Sequence, residues 1–87
     1  MNVELIDRAD DLRKFIEKFS ALPFIGIDTE FEKLRTFYPI LGAFQVMAGD
    51  TAYILDPKGC SLAPFWKALS AYGGTALFFA AEEDIQV

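Results

Sequence analysis

The sequence predicts an α/β domain built on one mixed β-sheet, and three observations support that prediction. Four apolar segments have the length of strands: 24–31, 41–48, 51–56 and 75–80. Only Gly49 and Asp50 separate the second segment from the third, which is typical of a hairpin. A helical pattern at 63–72 separates the third segment from the fourth. We therefore expect the first three strands to be antiparallel, and a right-handed crossover helix to bring the fourth parallel to the first.

An amphipathic helix is predicted ahead of the first strand, over residues 10–22. Its apolar residues recur at intervals of three and four, as one helix face requires: Leu12, Phe15, Ile16, Phe19 and Leu22. Asp10 or Asp11 is the expected N-cap, and Pro23 ends the helix. This helix should bury its apolar face against the sheet.

The remaining elements follow from local composition. The segment 24–31 is continuously apolar until it turns acidic, which predicts a central strand buried on both faces. In the helix at 63–72, Pro64 suits the first turn, and Trp66 is assigned to the buried stripe. A third helix should begin near Ala81, directly after the fourth strand.

Composition excludes several kinds of active site. The chain of 87 residues has no histidine and a single cysteine, Cys60, so it cannot form a Cys/His zinc site, a Ser-His-Asp triad or an internal disulfide. No apolar run approaches the roughly 20 residues that span a bilayer, and no signal peptide is recognisable. We therefore expect a cytoplasmic protein with no membrane contact. The net charge of −5 does not favour nucleic acid as a partner, although metal-binding carboxylates would shift the charge in the same direction.

Three carboxylates are the candidate functional residues. Asp28 and Glu30 lie two positions apart on a predicted strand, so both should point to one face with Cα atoms about 7 Å apart. Two unpaired charges about 6 Å apart repel by roughly 3 kcal/mol at an effective dielectric of 20, and a divalent cation would remove that cost. Asp84 falls in the first turn of the predicted third helix, and parallel pairing of the strands 24–31 and 75–80 would bring it to the same edge. The three acids then predict a metal site.

Each acid taken alone has a simpler explanation. Asp-x-Glu after an apolar run arises by chance in many proteins, and the run Glu82-Glu83-Asp84 is favourable charge at a helix N-terminus. Asp56, at another strand end, could be a phosphoacceptor in an all-parallel receiver fold, but the hairpin at Gly49 argues against that fold. We expect Asp56 to cap a turn.

A family resemblance adds to these arguments. The segments that carry it run from Ile25 to Phe31, from Arg35 to Gly42, and from Ala80 to Ile85, with Gln45-Val46 and Ile54-Leu55-Asp56-Pro57 between them. Together they resemble the ribonuclease D group of DEDD 3′–5′ exonucleases, which have a ribonuclease H-like fold. Asp-Thr-Glu-Phe followed by Tyr-Pro-x-Leu-Gly is far more specific than Asp-x-Glu alone.

The resemblance implies a reaction and a set of roles. Asp28 and Glu30 match the first exonuclease motif and Asp84 the second, as catalytic ligands of two Mg²⁺ or Mn²⁺ ions. Thr29 and Phe31 would contact the terminal nucleotide, with a core role equally open for Phe31. The implied substrate is an RNA 3′ end, with DNA possible, and no other cofactor is implied.

The chain also departs from that family. The third motif, with its tyrosine or histidine and its final aspartate, would lie beyond residue 87. We therefore expect residues 1–87 to be the N-terminal part of a truncated exonuclease domain, inactive alone and prone to self-association through an exposed sheet edge. The alternative is a catalytically dead fragment that binds nucleic acid or oligomerises.

Overall fold

A computed structural model of the protein describes residues 2–28, 40 and 42–79. In chain order its elements are β1 (Asn2–Ile6), α1 (Ala9–Ser20), β2 (Phe24–Asp28), β3 (Phe44–Ala48), β4 (Thr51–Leu55), α2 (Ala63–Ser70) and β5 (Thr75–Phe79). Residues 29–31 of the predicted strand 24–31 and the predicted helix from Ala81 lie outside the described residues.

The strands form one mixed sheet in the order β1-β4-β3-β2-β5. β3 is antiparallel to both β2 and β4, whereas β5 is parallel to β2. Three antiparallel strands followed by a fourth strand parallel to the first were predicted, and this prediction is confirmed for β2, β3, β4 and β5. β1, an edge strand that pairs in parallel with β4, was not predicted from the sequence.

The main core lies on the face of the sheet that both helices cover. Because residues paired in register share a face, alternate residues of each strand point towards the helices. The buried residues of this core are Ile6, Leu12, Phe15, Phe19, Ile25, Ile27, Phe44, Val46, Ala48, Tyr53, Leu55, Leu62 and Phe65. The predicted stripe of α1 is confirmed, with three of its residues fully buried and two packed at the margin.

Two local predictions about the helices were wrong. The N-cap of α1 is Arg8, with no side-chain hydrogen bond, while Asp10 and Asp11 lie inside the first turn. Trp66, assigned to the core, is 46% exposed and packs one side of its ring against Phe44 and Phe65. In the eight-residue helix α2, Phe65 is the residue that is fully buried, so the apolar spacing of the helix extended the buried stripe too far.

Two turns have the predicted geometry. Gly49 has a φ of +65°, so the β3–β4 hairpin uses a left-handed residue where glycine is favoured. After β4, the Asp56 carboxylate accepts a 2.8 Å hydrogen bond from the Lys58 backbone N–H, as expected of a turn cap.

Neither described helix, at 12 and 8 residues, is long and apolar enough to cross a bilayer.

Candidate functional site

Asp28 is the one predicted site residue within the described ranges, and it ends β2. The strand is buried along most of its length. Ile25, Gly26 and Ile27 are buried, and Asp28 is half-buried. In register, Asp28 lies between Gln45 of β3 and Phe79 of β5. An acidic side chain therefore stands at the carboxyl end of an inner strand.

The direction of the strands makes that edge acidic. β1, β4, β2 and β5 all run the same way, so their carboxyl ends meet at one edge of the sheet. Asp7 follows β1, Asp56 follows β4, and Asp28 ends β2. Asp56 is engaged in its turn, and it is two strands away from Asp28. Three aspartates, one from each of three strands, therefore lie at this end of the sheet.

Asp28 also lies on the face that the helices do not cover. Its register partner Gln45 is opposite Ile54 of β4, and directly paired residues share a face. Ile54 belongs to a second, smaller buried cluster with Ala43, against which Val3 and Ile40 pack. Asp28 therefore lies on the face of the sheet opposite α1 and α2, two strands away from Ile54.

The other predicted site residues are Thr29, Glu30, Phe31 and Asp84, and all four lie outside the described residues. The convergence of positions 28, 30 and 84 therefore stays a prediction. Within residues 2–28, 40 and 42–79 no group of three or more acidic, cysteine or histidine side chains is placed to hold a metal ion.

Gln45 is a neighbour of the candidate site that was not predicted from the sequence. Directly opposite residues in an antiparallel pair have Cβ atoms about 5 Å apart, so Gln45 is within side-chain reach of Asp28. The signal was present in the sequence, because Gln45 is the polar member between buried Phe44 and Val46 on a strand that otherwise reads as apolar.

β3 is antiparallel to β2 and β4, β5 is parallel to β2, and an acidic residue ends β2. This arrangement defines the ribonuclease H-like class of nuclease folds. Comparison with known proteins identifies the family within this class. A family model described as 3′–5′ exonuclease matches residues 3–87, and the chain belongs to that family.

Ribonuclease D enzymes are among the curated relatives. That of Escherichia coli K12 is 35% identical over 88 residues, covering 100% of this chain and 24% of the relative. That of Musicola paradisiaca is 33% identical over 88 residues, with the same two shares. The chain thus spans about a quarter of the length of these relatives.

Solved structures agree with the fold. The crystal structure of Escherichia coli RNase D, an exoribonuclease involved in structured RNA processing, matches with a TM-score of 0.66 at 35% identity, covering 100% of this chain and 24% of that one. The EXO domain of Aedes aegypti Nibbler matches with a TM-score of 0.64 at 23% identity, covering 98% and 42%, and supports the fold alone.

Proposed function

We propose that this chain supplies the first two acidic motifs of a ribonuclease D-like 3′–5′ exonuclease acting on RNA 3′ ends, with DNA as a possible substrate. The observation that carries the proposal is the parallel register of β2 and β5, in which Asp28 is opposite Phe79. Asp28 and Phe79, the last described residues before the two predicted motifs, therefore lie on neighbouring strands about 4.8 Å apart, which supports the proposal.

Covalent geometry limits how far the other acids can be from Asp28. Glu30 is two residues further along, so its Cα lies within about 7 Å of that of Asp28. Asp84 is five residues past Phe79, which is at most about 18 Å of extended chain and far less in a helix. Convergence of the three carboxylates is compatible with both limits.

The donor set fits hard divalent cations. Asp28 offers carboxylate oxygens at the acidic edge of the sheet, and Glu30 and Asp84 would complete an all-oxygen set suited to Mg²⁺ or Mn²⁺. Two such ions, when bound, activate the attacking water and stabilise the leaving 3′ oxygen. In this proposal the three acids hold and orient the ions, while Thr29 and Phe31 line the position of the terminal nucleotide.

We also propose that residues 1–87 are the N-terminal part of a larger exonuclease domain, located in the cytoplasm. The relatives are about four times longer, and the third motif has no counterpart in these 87 residues. On β5, Leu77 is 46% and Phe78 is 66% exposed, although they lie on opposite faces of the strand. Further protein, or a second copy of the chain, would bury both.

The test uses the full-length protein, a 5′-labelled RNA oligonucleotide and MnCl2. We expect a ladder of RNAs shortened from the 3′ end, with 5′-mononucleotides released. Asp28→Asn, Glu30→Gln and Asp84→Asn should each slow trimming at least about a hundredfold, because each removes a charged ligand. Asp56→Asn is the matched control, since asparagine keeps the oxygen that caps the turn two strands away.

Two results would count against the proposal. Trimming that survives Asp28→Asn would remove this carboxylate from the chemistry. RNA binding without any trimming, unchanged in Asp28→Asn, would favour the catalytically dead binding module.

The partial-domain proposal has its own test. The 87-residue chain should be inactive and should self-associate in light scattering, whereas a monomeric, active 87-residue chain would contradict the partial-domain proposal.

A further inference from the structure

Gln45 is a polar residue in an otherwise apolar part of the sheet. It is half-buried on β3, between the buried residues Phe44 and Val46. On the face opposite α1 and α2, the strand register places it in a row that crosses all five strands: Leu5, Ile54, Gln45, Asp28 and Phe79. Gln45 is therefore opposite an apolar residue, Ile54, on one side and opposite the candidate metal ligand, Asp28, on the other.

The neighbours of Gln45 on this face leave it one strong polar partner among the described residues. Along β3, Met47 is the next side chain on the same face, and Ala43 precedes the strand. Across on β4, Ile54 is fully buried and packs with Ala43 in the smaller cluster. None of these three side chains offers an amide group a strong hydrogen-bond partner, whereas the carboxylate of Asp28 does.

The Gln45 amide is close enough to reach that carboxylate. Directly opposite residues of an antiparallel pair have Cβ atoms about 5 Å apart, a distance that a glutamine side chain spans. The amide nitrogen has two hydrogens to donate, and an ionised carboxylate has about four acceptor positions on its two oxygens. One oxygen of Asp28 can therefore accept from Gln45 while acceptor positions remain for an ion and for the other contacts that Asp28 makes.

We propose that Gln45 is a positioning residue for Asp28. Its side-chain N–H donates to the Asp28 carboxylate and holds it in the orientation that binds a divalent cation. Hydrogen bonds to an ionised acceptor are stronger than those between neutral groups, and carboxylates that ligate metals are commonly hydrogen-bonded in this way. The inference rests on the proposed function, because it assigns Gln45 a role at the same metal site.

The test measures Mn²⁺ binding by the full-length protein in the absence of RNA, using isothermal titration calorimetry. Gln45→Met keeps the length of the side chain but removes the amide. We expect this variant to bind Mn²⁺ about ten- to a hundredfold more weakly, the usual effect of removing a residue that orients a metal ligand. Gln45→Asn keeps the amide on a shorter stem and should bind Mn²⁺ more tightly than Gln45→Met does.

Met47→Leu is the matched control. Met47 is half-buried on the same strand and the same face, and it is opposite Gly26, which has no side chain to orient. The exchange conserves volume, so Mn²⁺ binding should be unchanged. Urea denaturation without metal separates positioning from folding. Methionine suits the apolar neighbours of position 45, so Gln45→Met should be as stable as the unmodified protein although it binds Mn²⁺ more weakly.

Three results would overturn the inference. Equal Mn²⁺ affinity in Gln45→Met and in the unmodified protein would show that the amide does not orient Asp28. A normal Mn²⁺ affinity with a raised KM for RNA would make Gln45 a substrate contact rather than a positioning residue. Both of these results leave the proposed function standing. Mn²⁺ binding that is absent from the unmodified protein, or unchanged in Asp28→Asn, would overturn the proposed metal site together with this inference.

Discussion

The Tyr72 hydroxyl donates a 2.6 Å hydrogen bond to the Leu22 carbonyl, across 50 positions of sequence. The bond joins the turn after α2 to the turn that leads from α1 into β2, and the Tyr72 ring packs on Phe19 in the core. It fixes the two helix ends relative to each other on the same face of the sheet.

Tyr72→Phe should lower the free energy of unfolding by about 1 kcal/mol, because it removes this hydrogen bond and leaves the ring in place. Urea denaturation at constant m-value would measure the change. Tyr53→Phe is the matched control: its hydroxyl has no partner among the described residues, so its loss should leave stability unchanged or slightly raised. Equal losses in both variants would contradict the assignment of the bond.

Gly59→Ala should destabilise the protein by about 1–3 kcal/mol, the range for an overpacked site. A Cβ at Gly59 would collide with the backbone and Cβ of Asp7, which are less free to move than the end of a long side chain. The readout is the midpoint of thermal or urea unfolding. Gly73→Ala serves as the comparison and should have little effect, since a Cβ there meets no atom of the described residues within 4 Å.

The neighbouring residues Phe65 and Trp66 of α2 should differ sharply in their contributions to the free energy of unfolding. Phe65 is fully buried and packs on Phe44, so Phe65→Ala should cost about 3–5 kcal/mol through the cavity it leaves. Trp66→Ala should cost clearly less, because nearly half of Trp66 is already in solvent. Chemical denaturation of both variants tests the order, and a reversed order would show that the tryptophan is covered in the native protein.

Cys60 should react slowly with iodoacetamide near neutral pH. Burial, assisted by the negative charges of Asp56, Asp7 and Asp11, raises the pKa of the thiol, so less of the reactive thiolate forms at a given pH. As the pH is raised, the alkylation rate should therefore begin to increase at a higher pH in the native chain than in the urea-unfolded chain. Because the native thiol holds its proton more tightly, its contribution to stability should fall once the pH exceeds about 8.5, where the unfolded thiol ionises.

Manganese should raise the melting temperature of the full-length protein if the acids form a metal site. At a free concentration of 100 times the Kd, binding to the native state alone adds about 2.7 kcal/mol. Asp28→Asn should abolish the shift and Asp56→Asn should preserve it, as differential scanning calorimetry would show. A shift that persists in Asp28→Asn would place the ion elsewhere.

The sheet could be predicted because its signals are local. Gly49 and Asp50 fix a hairpin between two apolar runs, and the helix that follows leaves little choice but a parallel return for β5. β1 was missed for the opposite reason. It is a five-residue edge strand that buries only Ile6 fully and exposes Glu4, so its sequence carries neither a long apolar run nor a strong alternation.

The site was less predictable than the fold. The position of Asp28 at the end of an inner strand followed from the apolar run before it. Its pairing with Gln45 depends on strand register, which residue patterns do not determine beyond the hairpin itself. Tyr53 looked like any core residue, since only the packed structure shows that its hydroxyl is buried with no hydrogen-bond partner among the described residues.

The β3–β4 hairpin has a practical consequence. Gly49 and Asp50 are exposed, and β3 runs opposite to β2, so this turn is at the far end of the sheet from Asp28. A fluorophore or a surface linker attached at Asp50 would leave the acidic edge facing solution. Protein immobilised in this way could be used to test the proposed trimming on single nucleic-acid molecules, because the anchor would be far from Asp28.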